Sequence, residues 1–461
     1  MIEKFLNIFR IPDLRKRVLF TLGILAVYRL GAFIPTPGVN VQQLQSLFNS
    51  QSGSALGLMD LFGGGNLRRM SIFALGIMPY ITASIIFQLL TVVYEPLARI
   101  QKEGELGRRK ITQWTRYVTV VLGALQSIGI AIMLTKGGYV LHPGAGFMLL
   151  SVLTLTTGTA FIMWLGEQIT DRGIGNGMSL LIFAGIVAGL PNGVRDLIQK
   201  VQTDAWGSLS LIVVLALVAG MAAVVGFIVF VERSERRIPI QSARRIIGRR
   251  MMGGSSSHLP LKVNSGGVMP IIFASSILSA PLLFAQVPWV QNNRLLQPII
   301  TALQAGMPWY ELLNILAIIF FAYFYVSIVM RPDDIADNFR KSGSFIPGIR
   351  PGKRTSDFIN DILTRITLVG AIYLILVQMV PTFLISGIRF DKIWLVGRAF
   401  ENLPNWAIHG MGVNFYFGGT SLLIVVGVAM DTINQIESQL VMRHYDGFSP
   451  RSGRIRGRKT W

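Results

Sequence analysis

Side chains able to do covalent or metal chemistry are few in this 461-residue chain, and they do not cluster. The four histidines, His142, His258, His409 and His444, stand far apart, with none of the short spacings that metal ligation requires. There is no cysteine, so thiolate catalysis and disulfides are excluded. Gly173-Ile174-Gly175-Asn176-Gly177 has the outline of a phosphate-binding loop. However, it sits between two apolar runs and no Lys-Ser/Thr follows it. The expectation is a tight turn with Asn176 or Ser179 at a helix start. Arg29, Glu167 and Asp431 are charges at the edges of apolar runs, suited to local ion pairs or helix ends. No Asp/Glu/His relay runs through those segments, as a proton- or sodium-driven transporter would need. No carbonyl-filter motif or acidic ring marks an ion channel. No enzyme, no ATPase and no cofactor is expected. If the protein moves something, a partner supplies the energy.

The elements that must position these residues are membrane helices. Half of the chain is hydrophobic and only 14% is charged, too little charge to cover a soluble protein of this length. Apolar runs of about 20 residues, the length needed to cross a bilayer as helix, recur throughout. Ten spans are expected, near 18–34, 75–93, 117–135, 147–166, 176–191, 207–231, 268–288, 311–330, 362–386 and 413–432. Residues 1–11 read as a short amphipathic surface helix closed by Pro12, without a cleavage pattern. Of the 43 Lys and Arg, 33 fall in 1–17, 94–116, 167–175, 232–267, 331–365 and 433–461. The positive-inside rule therefore places both termini in the cytoplasm, and most of the +20 net charge is an orientation signal. Two cytoplasmic loops, 232–267 and 331–361, are longer than orientation alone requires, long enough to dock a partner.

Two segments repeat. Gly76-Ile77-Met78-Pro79-Tyr80-Ile81-Thr82-Ala83-Ser84-Ile85-Ile86 opens the second span, and Gly267-Val268-Met269-Pro270-Ile271-Ile272-Phe273-Ala274-Ser275-Ser276-Ile277 opens the seventh. Seven of eleven positions are identical, at an offset of 191 residues and five spans. One enters from outside and the other from a basic loop, so the halves are inverted and a functional path is expected between them. A shared helix-start signal would also give such a match. Residues 57–71 mix apolar residues, three consecutive glycines and two arginines, and cannot face lipid. They read as a mobile re-entrant segment or as an ordinary outer loop.

Several stretches, in order along the whole chain, carry a family resemblance. They include Tyr28-Arg29-Leu30-Gly31 through Pro37-Gly38, Ser71 to Ile81, Gly104 to Lys110 and Asp171 to Gly177. Further on come His258 to Asn264, Phe345 to Gly352 and Phe417 to Ile424. In these the chain resembles the SecY family, the channel subunits of bacterial Sec translocons. The resemblance implies an all-α polytopic membrane protein with ten transmembrane helices in two inverted five-helix halves around a central pore. A lateral gate would lie between spans two and seven.

By motif position the pore ring would be Ile81, Ile85, Ile182, Ile186, Ile272 and Ile424. Without the resemblance, isoleucines at i and i+4 in a membrane helix are ordinary packing or lipid contacts. The repeat independently pairs Ile81 with Ile272. The plug would be 57–71, including Leu61, Phe62, Gly63, Gly64, Gly65 and Asn66. Arg249, Arg250 and Arg350 would dock the SecA motor ATPase and the ribosome, through protein carboxylates and RNA phosphate. Arg350 stands between Pro347-Gly348 and Pro351-Gly352, a stiff turn.

Other implied partners are the small SecE and SecG membrane subunits, signal peptides, nascent chains and membrane lipids. The resemblance places the protein in the bacterial inner membrane. The expected divisions are an N-terminal segment (1–17), a first half (18–206), a second half (207–432) and a basic tail (433–461). The expected function is a passive polypeptide conduit. A secondary transporter of a small solute is the alternative that the inverted repeat allows.

Overall fold

The computed structural model describes residues 11–50, 60, 63–203, 210–242, 245–247, 250–252, 256–284, 307–386 and 419–446. A helix lies at each expected span: α1 (Pro12–Gly31), α3 (Met78–Val93), α5 (Glu105–Lys136), α6 (Ala145–Arg172), α7 (Gly177–Gln202), α8 (Ser210–Arg233), α9 (Met269–Phe284), α10 (Pro308–Val329), α12 (Lys353–Ser386) and α13 (Gly419–Asp446). Shorter helices intervene: α2 (Val41–Ser50), α4 (Glu95–Lys102) and α11 (Pro332–Ser342). Among the described residues, six helical stretches are long and apolar enough to cross a membrane alone, or seven if the α3–α4 pair, bent by 100°, is one span. The fold is that of a helical multi-pass membrane protein. Residues 1–10 and the basic tail from 447 onward lie outside the described residues.

Several helix limits differ from expectation: α5 begins at Glu105, 12 residues before the expected start at 117, and α13 runs to Asp446, 14 residues past the expected end at 432. α7 continues through Pro191, where the fifth span was expected to end. One proline removes a single intrahelical bond, and the helix runs on past it with Val194 and Ile198 exposed. α12 begins at Lys353, nine residues before the expected span, so the second long basic loop is partly helix.

The two long basic loops also carry strands: β1 (Glu235–Ser242), β2 (Arg245–Ile247), β3 (Arg250–Met252), β4 (Ser256–Lys262) and β5 (Ser344–Phe345). They form a three-stranded sheet, β4-β1-β5, and a small β2-β3 ladder. β1 runs antiparallel to β4, with Glu235 opposite Lys262 and Ile238 opposite Leu259. Ile238 and Ile240 alternate inward along β1, the period-two burial of a strand. Ile238 joins Leu261, Ile346, Ile359 and Leu363 in a separate small core.

Candidate functional site

The two repeated segments fold alike down to the backbone. Gly76 and Gly267 sit in the left-handed region, at φ 57° and 56°. That is a conformation glycine adopts without steric cost. The Gly76 amide donates to the Phe73 carbonyl (2.9 Å) and the Gly267 amide to the Asn264 carbonyl (3.3 Å). Each turn feeds a 16-residue helix whose second residue is proline, Pro79 in α3 and Pro270 in α9. Ile81 and Ile272 are the fourth residues of these helices. α3 and α9 pack against each other, and the Ser276 hydroxyl approaches the Met78 sulfur (4.0 Å).

The six isoleucines Ile81, Ile85, Ile182, Ile186, Ile272 and Ile424 are all buried, and all belong to one apolar cluster. Ile81, Ile182 and Ile272 line a cavity of about 20 Å³ together with Gly63, Met78 and Ser275. That volume holds roughly one water molecule. Its walls are mostly apolar, with Ser275 and nearby backbone as the polar part. Ile85, Ile186 and Ile424 lie elsewhere in the cluster and do not border the cavity.

The segment before α3 closes this cavity from one side. Residues 63–77 form a run of tight turns, with Asn66, Leu67, Met70, Ser71 and Phe73 buried. The loop is tied at its base by Asp60, whose carbonyl accepts from the Gly65 amide (2.9 Å) and whose carboxylate accepts from the Arg68 amide (2.8 Å). Burial pushes the Asp60 carboxyl up, opposed by the amides of Arg68 and Leu67 and by the charges of Arg68 and Arg69. Tyr28 of α1 holds the loop's inner side. Its hydroxyl accepts from Asn66 Nδ2 (3.2 Å) and makes a long contact to the Gly63 carbonyl (3.5 Å). Its ring stacks on Phe73 at 5.8 Å between centroids. This role of Tyr28 was not readable from local spacing, because its partners stand 35 and 38 positions away. Gly64 (φ 69°) meets the backbone of Gly185 in α7 so closely that a Cβ there would lie 2.5 Å from the Gly185 carbonyl oxygen. Gly185 stands directly before Ile186, so the loop rests on a helix that also carries Ile182 and Ile186. Leu61 and Phe62 lie outside the described residues.

The glycine-rich turn 173–177 offers no phosphate cradle, because its amides are already engaged. Gly173 donates to the Ile169 carbonyl, Ile174 to Thr21 Oγ1 (3.1 Å) and Gly175 to Gln435 Oε1 (3.0 Å). Gly177 donates to Thr170 Oγ1 (3.0 Å). Asn176 is the N-cap of α7, its side chain accepting from Met178 and Ser179, as expected. The flanking charges are ion-paired. Arg116 meets Glu167 at 2.6 Å between α5 and α6, and Lys262 meets Asp431 at 3.8 Å between β4 and α13.

In the second long basic loop, Arg350 is exposed in the turn between β5 and α12. The turn is fixed by the Ile349 amide on the Ile346 carbonyl (3.1 Å) and by Thr355 Oγ1 donating to the Arg350 carbonyl (3.0 Å). Arg250 opens β3 opposite Ile247, while Arg249 lies outside the described residues.

Comparison with known proteins agrees along the whole length. The SecY family profile matches residues 71–433. The protein translocase subunit SecY of Escherichia coli (strain K12) is 47% identical over 441 residues, covering 94% of this chain and 93% of that protein. Its counterpart from Streptomyces griseus is 44% identical over 468 residues, covering 97% and 100%. Among solved structures, one described as a protein conducting channel matches with TM-score 0.63 at 16% identity, covering 95% of each chain. Another, of a SecY protein whose plug domain stabilises the closed state, matches with TM-score 0.62 at 18% identity and the same coverage. Sec61 in a canine ribosome–channel complex matches with TM-score 0.60 at 16% identity. The structural likenesses carry the fold, and the sequence likenesses carry the family: this chain belongs to the SecY family.

Proposed function

We propose that this chain is the protein-conducting pore of a translocase, with Ile81, Ile85, Ile182, Ile186, Ile272 and Ile424 as its seal and 57–71 as its plug. The chain is a translocation channel and not an enzyme, as the relatives it groups with are named translocase subunits. The observation that carries the pore reading is the small apolar cavity shared by Ile81, Ile182, Ile272 and Gly63. A collar of branched aliphatic side chains excludes water and ions by dewetting and offers a passing polypeptide no hydrogen bond. The α3–α9 contact is then the lateral gate, between a first half at 18–206 and a second at 207–432. The small-solute transporter gains no support, since no relative found is named as one and the membrane helices hold no charge relay.

The absence of cysteine makes the test direct. Single cysteines at positions 81, 272 and 424 should each crosslink to a secretory chain stalled in transit, and a cysteine at lipid-facing Ile372 should not. Silence at all three ring positions would remove the seal assignment.

Docking is the second element. Channels similar in fold to this one have been solved on ribosomes from dog and yeast. The exposed Arg350 turn supports a cytoplasmic docking face here, read by a motor ATPase such as SecA or by a ribosome, with SecE and SecG as membrane companions. The basic loops support an inner-membrane protein with both termini in the cytoplasm. Arg350→Glu should abolish motor-driven export while the channel still inserts into the membrane. Normal export by that variant would refute the docking role.

A further inference from the structure

The two halves share more than the turns that open α3 and α9. Ile72 and Val263 stand at matching positions, 191 residues apart. The Ile72 amide donates to the Ile34 carbonyl just past α1, and the Val263 amide to the Ser234 carbonyl just past α8, each at 3.0 Å. The carbonyls of the same two residues press on a glycine, Gly158 of α6 and Gly370 of α12, where a Cβ would collide with them. One position later the halves part. The first has Phe73 and the second Asn264, both buried.

That difference decides how each helix start is held. The Phe73 ring is stacked between Tyr28 (5.8 Å) and Phe161 (6.1 Å). Parting those rings bares apolar surface and gains nothing in return. The Asn264 amide instead donates to the Glu232 carboxylate at the end of α8 (2.7 Å) and to the Gly267 carbonyl (3.1 Å). The Gly267 contact shapes the turn. The Glu232 contact ties the start of α9 to α8, and a bond to a carboxylate is among the stronger hydrogen bonds. Lys262 and Asp431, exposed and paired at 3.8 Å, lie close to Glu232, so water reaches this end. Water can take over both partners when the helices part, which leaves the bond a small net worth. It fixes a helix start and is still undone at modest cost.

We propose that Glu232 and Asn264 form a releasable latch, which positions α9 against α3 in the closed channel and opens when α9 moves, while the stack on Phe73 keeps α3 in place. The inference rests on reading the α3–α9 contact as the lateral gate. It makes the two sides of that gate unequal although their backbones repeat. Glu232 and Asn264 are positioning residues: neither belongs to the isoleucine ring or borders its cavity.

The test uses the whole translocase in membrane vesicles, resting, without motor or substrate. Ser276, buried and facing Met78 across the gate, is replaced by cysteine in a chain that has no other. A membrane-permeant maleimide reaches that thiol when α3 and α9 part, so its rate of reaction follows the open population. Added to S276C, N264D sets two carboxylates against each other and should raise the rate about tenfold or more. E232A, which leaves the Asn264 turn intact, should raise it too. Adding E232Q to N264D should bring the rate back near that of S276C alone, because the new amide at 232 can donate to the new carboxylate at 264. The lost Gly267 contact is common to N264D and the rescued variant, so their difference reports the latch alone. R109Q, at an exposed arginine paired with Glu105, should change nothing. Unchanged rates in N264D and E232A would overturn the latch. A rescued variant as fast as N264D would also overturn it, since damage to the turn would then explain the opening. The gate reading fails separately. Cysteines at 78 and 276 joined by a short bis-thiosulfonate reagent should stop sideways release of a membrane segment, and continued release from the joined channel would remove the gate and the latch's purpose with it, whatever the maleimide rates.

Discussion

Gly64→Ala should leave the resting channel leaky to small ions, because the proposed plug could no longer seat against α7. Two costs combine at this position. The φ of 69° penalises any L side chain, by roughly 1–2 kcal/mol. The new Cβ would also lie 2.5 Å from the Gly185 carbonyl oxygen and 2.6 Å from its Cα. Both partners are backbone, so no side chain can swing aside. The seated state loses about 2 kcal/mol from the backbone term alone, roughly a thirtyfold shift of population toward the unseated state. Gly65→Ala is the matched control. Gly65 has a φ of 82° but open space where its Cβ would go. It carries the strain without the collision and should leak less. Conductance of the purified channel in planar bilayers, without substrate or motor, measures both. Equal leak in the two variants would show that the Gly64–Gly185 contact does not seat the plug.

The second large effect concerns the seal itself. Replacing Ile81 and Ile272 together by serine should raise resting ion conductance by an order of magnitude or more, even with the plug intact. Each substitution removes a fully buried aliphatic side chain, worth about 1.5–3 kcal/mol of burial, and puts a hydroxyl on the wall of the cavity. A space that now favours water poorly would then hydrate and conduct. Ile81→Val with Ile272→Val keeps the wall apolar and should stay tight. Ile372→Ser, on the exposed face of α12, should conduct no more than wild type. A serine pair that remains as tight as the valine pair would mean that the plug alone is the barrier. The two experiments thus separate the contributions of plug and ring.

The membrane architecture was readable because its signals are local and repeated. Apolar length sets a span, and the Gly-x-Met-Pro start recurs 191 residues later with the same backbone turn. The equivalence of Ile81 and Ile272 followed from that repeat, before any contact was known. What escaped was held by distant partners or by short elements. Tyr28 looks like any interfacial tyrosine until Asn66 and Gly63 are folded against it. The β4-β1-β5 sheet escaped because its strands lie in basic loops, where charge dominates the pattern and few residues, such as Ile238, Ile240 and Leu261, face inward. α7 outran its expected end because a single proline removes one intrahelical bond without ending the helix.

The saturated turn at 173–177 also orders events during synthesis. The Ile174 amide finds Thr21, which is already made when the turn emerges. The Gly175 amide must wait for Gln435, 260 residues later. Until the last helix arrives, a polar group of the first half stays open at the membrane surface, and the C-terminal helix is what finally closes it. A chain truncated before α13 would therefore keep an unfinished edge near its middle as well as a missing end, and this is the kind of exposed polar seam that membrane quality control could recognise.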